Sequence, residues 1–358
     1  MTLDCRATHP MDVHCSTRER EMTRFILHVG PHKTGTTYLQ VIFDALRSVL
    51  NEQGVCVPSM WNATAGLPSH LKFVSALRNR DIDRLRGQIK EILVQGHKYV
   101  VITSEDLSRL SLDEIVVLGG LLDPVATQVV YYVRRWPESL PSLWQEMVKH
   151  GRTLTLPEFL MRQFSDYNGF ATRDTTVLDK YSAVFGANNV KIVPYSGIVD
   201  NGGDIASHFL ETFLNLPHLG LPDVGRLNVS FSILDIELIR SLNALHARAY
   251  GKPSAAVRIW YIENKDTLDI RSVMAAMQEN IATVRLDEAE SPLALSSREV
   301  LRRYAHSIVS PGSKEALHQP RSADIAYVDA NYLLEVGFAK TLGDLYTRCR
   351  PTLPPESI

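Results

Sequence analysis

Apolar positions along the chain follow two alternating rhythms. Residues 25–29, 98–103, 128–133 and 190–193 are short runs rich in Val, Ile and aromatic side chains. They have the length and composition of strands, and their near-continuous apolarity suits parallel strands buried on both faces. Residues 36–50, 82–94, 138–149 and 205–214 instead space apolar side chains three and four apart, the stripe of an amphipathic helix. This β-α alternation predicts a three-layer α/β/α fold around one central, mainly parallel sheet. Beyond about residue 230 the pattern becomes mainly helical, with 233–249, 297–307 and 325–336 as the strongest stretches, expected to cap the sheet and shape a cleft. Residues 310–324 and 350–358 are rich in Pro, Ser and charge and predict a surface loop and a loose tail. The first 22 or so residues are polar and aperiodic, as in a flexible leader, so a single domain over 23–350 is expected.

Composition narrows the partners. The 358 residues are 45% hydrophobic with a formal net charge of -2, which suits an ordinary globular core and gives no overall basic field for nucleic acid. Only a local anion pocket stays open. Cys5, Cys15, Cys56 and Cys349 form neither a CxxC pair nor a metal-ligand spacing and read as unpaired thiols. No run approaches the roughly 18 apolar residues needed to span a bilayer, and the N-terminal stretch lacks the apolar segment of a signal peptide. The expectation is a cytoplasmic protein, in which the glycosylation-type triplets at Asn62 and Asn228 carry no weight.

Two motifs carry chemistry. Directly after the first predicted strand comes GPHKTGTTYLQ, residues 30–40. Gly30 and Gly35 allow a tight turn with inward N–H groups, the following helix adds positive charge at its N-terminus, and Lys33, Thr36 and Thr37 supply a cation and hydroxyl donors. A nucleoside-triphosphate P-loop would place its lysine after the second glycine, whereas here it lies inside the loop. The second motif, RRWPESLPSLWQE, follows the strand at 128–133 and has Arg134 eight residues before Ser142. A guanidinium at a strand end and a hydroxyl on the next helix can converge on one phosphate. Arg135 is an alternative to Arg134 as the facing side chain.

GPHKTGTTYLQ closely resembles the 5′-phosphosulfate loop of the sulfotransferases that use 3′-phosphoadenosine 5′-phosphosulfate (PAPS), particularly bacterial members reading G-x-H/P-K-T-G-T-T. Arg134 and Ser142 resemble the same family's 3′-phosphate motif. The resemblance implies a P-loop-like fold and transfer of a sulfuryl group from PAPS to a hydroxyl or amine, with no metal required. It also implies that Lys33 and the backbone and hydroxyls of residues 34–37 (Thr34, Gly35, Thr36, Thr37) hold the 5′-phosphate. His32, inside the loop, is a candidate for contact with the transferring group. Matches at 181–186, 190–196, 227–232 and from Tyr327 onward are weaker, with Asn228 and Ser230 as possible nucleotide neighbours. The family's usual Tyr-Glu pair is Tyr195-Ser196 here, so no role for that glutamate carries over.

The reaction needs a base. Glu105, in VVITSEDL, stands where a buried strand ends, the edge at which open α/β sheets bind ligands. The equivalent stretch in many bacterial sulfotransferases reads Ser-Ser-Glu. His70 is the second candidate, because a neutral imidazole suits proton abstraction. By the same resemblance, the acceptor is expected to be a carbohydrate of a glycan or glycolipid, or else a small metabolite. The competing classes are a magnesium-dependent nucleoside-triphosphate kinase and a non-catalytic nucleotide-binding protein.

Overall fold

A computed structural model describes residues 22–31, 33–63, 68–165, 173–225, 231–252, 254–289, 294–309, 317–334 and 337–349. Its centre is a sheet of β1 (Arg24–His28), β2 (Val55–Cys56), β3 (Tyr99–Thr103), β4 (Thr127–Val133) and β5 (Val190–Pro194). The spatial order is β2-β3-β1-β4-β5 and every pair is parallel. Because successive strand residues point to opposite faces, each strand feeds two cores. Phe25, Leu27, Val100, Ile102, Val129 and Tyr131 point to one face. They pack there on α3 (Leu71–Arg78), α4 (Ile82–Val94), α5 (Leu112–Leu121) and α8 (Arg173–Phe185). Ile26, Val101, Val130, Tyr132 and Val193 point to the other, under α1 (Thr36–Ala45), α2 (Arg47–Glu52) and α10 (Ile205–Leu214). The fold is therefore the three-layer α/β/α sandwich that the alternation predicts.

A further apolar cluster lies beside the sheet. It joins α6 (Trp136–Lys149) and α7 (Leu156–Ser165) to α11 (Ile233–Tyr250), α12 (Ala256–Asn264), α13 (Arg271–Glu279) and α14 (Phe338–Cys349). Two strands, β6 (Ile281–Asp287) and β7 (Ser322–Val328), pair antiparallel against it. The helix expected over 325–336 is thus replaced by the end of a strand and a short 3-10 turn at Ala330–Leu334. The stretch SADIAYV alternates exposure with period two along its whole length, and that alternation outweighs its helical appearance once a partner is present. The helix expected over 36–50 is two helices that break at Leu46. Among the described residues, no helix is long and apolar enough to cross a membrane.

The short α9 (Tyr195–Val199) and the N-terminus of α10 complete the wall beside α1. Asp204 caps α10 by accepting from the N–H groups of Ala206 and Ser207 at 2.8 and 3.0 Å, and its other oxygen accepts from Tyr38 of α1 at 2.7 Å. This cap ties the helix after the glycine-rich loop to the second helix after β5. β1 lies at the centre of the sheet, between β3 and β4, so its following loop meets the ends of both neighbours.

Candidate functional site

The loop after β1 is built by exclusion. A side chain at Gly30 would place its first carbon 2.8 Å from His28 Nε2 and 3.2 Å from the hydroxyls of Thr34 and Thr36. At Gly35 it would lie 2.0 Å from the Ile205 methyl, and the backbone there is left-handed at φ 76. Lys33 is also left-handed, at φ 73, a conformation that costs a side-chain-bearing residue about 1–2 kcal/mol. Left-handed residues in a tight strand-to-helix turn are the backbone habit of an anion nest. α1 then starts at Thr36 with no side-chain cap and no acidic residue in its first turn, so its first N–H groups keep their partial positive charge.

Arg134, at the end of β4, reaches this loop directly. Its Nη1 donates to the Lys33 carbonyl at 2.6 Å, its guanidinium lies 5.2 Å from the centre of the Tyr195 ring, and its Nε is 3.9 Å from Glu138. Arg135 turns the other way. It is buried, donates from Nε to both oxygens of buried Glu288 at 3.0 and 2.9 Å, and donates from Nη2 to the Gln319 carbonyl at 2.8 Å. Ser297 and the Arg321 N–H also donate to Glu288. Arg135 therefore fastens the segments flanking β6 and β7 to the end of β4, and Arg134 is the one of the two seen to reach the described residues of the loop.

Lys33, Gly35, Thr36, Thr37, Tyr38, Glu105, Arg134, Glu146 and Tyr195 line one cavity of about 290 Å³. It lies at the carboxyl ends of β1, β3 and β4, beside the central strand, where open parallel sheets hold ligands. A larger cleft of about 610 Å³ opens at the opposite ends of these strands, against Arg24, Lys98 and Thr127. Of these two, the smaller cavity is the chemical candidate, because it combines a nest, two cations and a helix N-terminus.

Glu105 enters this cavity on a 3-10 turn whose N-cap is Ser104. The strand end before it is held from several sides. Thr103 shares its hydroxyl with His28 Nδ1 at 2.9 Å and Gln40 at 3.4 Å, and its N–H donates to His70 Nδ1 at 3.1 Å. That last bond corrects the reading of His70 as a base. With Nδ1 accepting from a backbone amide, the neutral ring carries its proton on Nε2 and has no lone pair left to take another. The ring is fully buried, and burial, helped by the charge of Arg47, lowers its pKa to about 3. His70 supports Thr103, and Glu105 is the candidate base that the cavity contains.

Other expected residues serve the loop without lining the cavity. The Thr34 hydroxyl donates to the Pro31 carbonyl at 2.8 Å, which removes it as a free ligand donor. Gly30 supplies room inside the turn. Ser142 lies on α6 with its hydroxyl 3.5 Å from the Glu138 carbonyl, and it is absent from the cavity lining. His32, Asn228 and Ser230 lie outside the described residues.

The structure adds Glu138, Glu146 and Tyr195. Glu138, Ser142 and Glu146 are four apart on α6 and share one face. Glu138 sits near Arg134 and accepts from Ser196 at 2.9 Å, so a carboxylate stands beside Ser196 although none is encoded there. Glu146 accepts from Lys33 at 2.7 Å and lies 3.1 Å from His150 and 3.9 Å from Lys149. Burial alone would raise its carboxyl, but the Lys33 bond and these neighbouring charges outweigh burial and hold it below the usual range. The i, i+4, i+8 spacing was the available sequence signal for this face. Comparison with protein-family models, with curated proteins and with solved structures finds no match to this chain.

Proposed function

We propose that the chain is a sulfotransferase that moves a sulfuryl group from PAPS to a hydroxyl or amine. The observation that carries this reading is the convergence of two separate cationic motifs on one cavity: Lys33 in the left-handed loop and Arg134 from the adjacent strand end, joined through the Lys33 carbonyl at 2.6 Å. A donor with phosphate at both its 3′ and 5′ positions fits that requirement, with the 5′ end on the loop and the 3′ end on Arg134. Lys33, Thr36, Thr37 and the first N–H groups of α1 are the donors for the 5′ end.

In this reading the acceptor oxygen or nitrogen forms a bond to sulfur as the bond from sulfur to the 5′-phosphate oxygen breaks. The departing electron pair stays on that oxygen, where Lys33 neutralises it, and the acceptor proton passes to Glu105. Fixed donors aimed at developing charge supply most of such a rate enhancement, and a positioned base adds about 10²–10⁴-fold. The resemblance of the two motifs to bacterial sulfotransferases makes a glycan or glycolipid hydroxyl the first acceptor to test.

The test is incubation with sulfur-labelled PAPS and extracted glycans, glycolipids and small metabolites, with and without EDTA. Labelled product that persists in EDTA supports the reading. Product that requires ATP and magnesium identifies a kinase, and bisphosphate binding without product from any acceptor identifies a non-catalytic nucleotide-binding protein.

A further inference from the structure

We infer that Arg134 is a positioning residue for the 5′ end of the nucleotide as well as a ligand for its 3′ end, because it is the strut that holds the Lys33 nest in shape. The inference rests on the nucleotide reading above and deepens it. A residue that served only the second phosphate would have its donors turned toward that phosphate. Here Nη1 is committed instead to the carbonyl of Lys33, at 2.6 Å. Among the described residues of the loop, Lys33 carries a side chain in the left-handed region, whereas Gly35, two residues on, meets the same need with a glycine. Strained backbone of this kind persists where its surroundings over-determine it, and among the described residues the bond from Arg134 reaches the Lys33 backbone from outside the loop.

The guanidinium is itself braced. One face lies against the Tyr195 ring at 5.2 Å and Nη1 is held by the Lys33 carbonyl, while Nε, 3.9 Å from Glu138, makes no hydrogen bond among the described residues, so the ring and the carbonyl orient the fork before any ligand arrives. A planar fork can hold the carbonyl with one arm and present the other to an anion at the same time. Lysine has charge but no fork, so it cannot do both in fixed geometry. The two ends of the site are therefore coupled through one side chain, and loss of the fork loosens the nest even for a ligand that has nothing at its 3′ position.

The probe is adenosine 5′-monophosphate, compared with adenosine 3′,5′-bisphosphate, titrated calorimetrically into the wild-type chain and Arg134→Lys at high salt. Salt screens the through-space attraction of the charge and leaves the local geometry. Arg134→Lys is expected to weaken the monophosphate by about tenfold, the scale of one lost charge-assisted bond, and the bisphosphate by more. Should Arg134→Lys fail to fold, Arg134→Met keeps the stem against Tyr195 and gives the same comparison. Weakening of the bisphosphate alone overturns the strut and leaves the sulfotransferase reading standing. A wild-type chain that binds neither nucleotide overturns that reading, and the strut with it.

Discussion

Arg135→Met separates the two adjacent arginines by their consequences. Arg135 and Glu288 are 2% and 1% exposed, so solvent screens their interaction little. The guanidinium contributes two Nε bonds at 3.0 and 2.9 Å and a further Nη2 contact to Glu288, plus the bond to the Gln319 carbonyl at 2.8 Å. Methionine fills much of the stem volume but leaves the Glu288 carboxylate buried with, among the described residues, the Ser297 hydroxyl and the Arg321 N–H as its remaining donors. Removing one partner of a buried ion pair costs about 3–5 kcal/mol. An unfolding entropy of about 2.1 cal/mol/K per residue over 358 residues amounts to about 0.75 kcal/mol/K. The melting temperature should therefore fall by about 4–7 °C in differential scanning calorimetry. Affinity for adenosine 3′,5′-bisphosphate should stay at the wild-type value, because the side chain points away from the cavity. A melting temperature that stays put while nucleotide affinity collapses would show that Arg135 is the ligand residue and that the division of labour is reversed.

Glu105→Gln should lower the single-turnover rate of sulfuryl transfer by about 10²–10⁴-fold at saturating PAPS without weakening nucleotide binding; an unaltered rate removes Glu105 as the base. Glu146→Gln frees the Lys33 ammonium from a half-buried carboxylate, which at about 1 kcal/mol should tighten adenosine 3′,5′-bisphosphate roughly fivefold in calorimetry; weaker binding would mean that Glu146 orients Lys33 rather than competing for it. Burial lowers the pKa of both His28 and His70 to about 3, so between there and about 6.5 the unfolded chain takes up protons that the folded chain refuses. Stability should accordingly be complete above about pH 6.5 and decline as the pH falls, at a slope approaching 1.4 kcal/mol per pH unit for each ring. His70→Asn keeps an acceptor for the Thr103 N–H and should remove one ring's share of that slope in urea unfolding at pH 4 to 6; an unchanged slope means that the ring is already protonated in the fold.

What could be read from the chain follows from how local each signal is. β1, β3, β4 and β5 are legible because strands buried on both faces leave continuous apolar runs, and α4 and α10 because each has one clear stripe. β2, of two residues, is too short to leave a pattern. β6 and β7 are each alternating, but residues 288–321 separate them, so no hairpin turn marks the pair and β7 reads as the start of a helix. In the site, Lys33, Thr36, Thr37, Glu105 and Arg134 stand at strand ends or in a glycine-rich turn, positions that the order of elements brings together before any side chain is placed. For Glu146 the four-residue spacing on α6 was the only sequence signal, and it does not say which face turns to the loop; Tyr195 stood out in sequence, but its contact with Arg134 depends on β5 lying beside β4. His70 was misread for a related reason: its tautomer is set by a backbone amide on another strand, and nothing near residue 70 in sequence reports that amide.

The central claim is that the Lys33 loop and Arg134 grip the two ends of one doubly phosphorylated adenosine. Calorimetric titration of the intact chain with adenosine 3′,5′-bisphosphate in EDTA tests it most directly. Saturable one-to-one uptake, lost in both Lys33→Ala and Arg134→Ala, is the expected result. Absence of uptake, or uptake that appears only with magnesium, contradicts it.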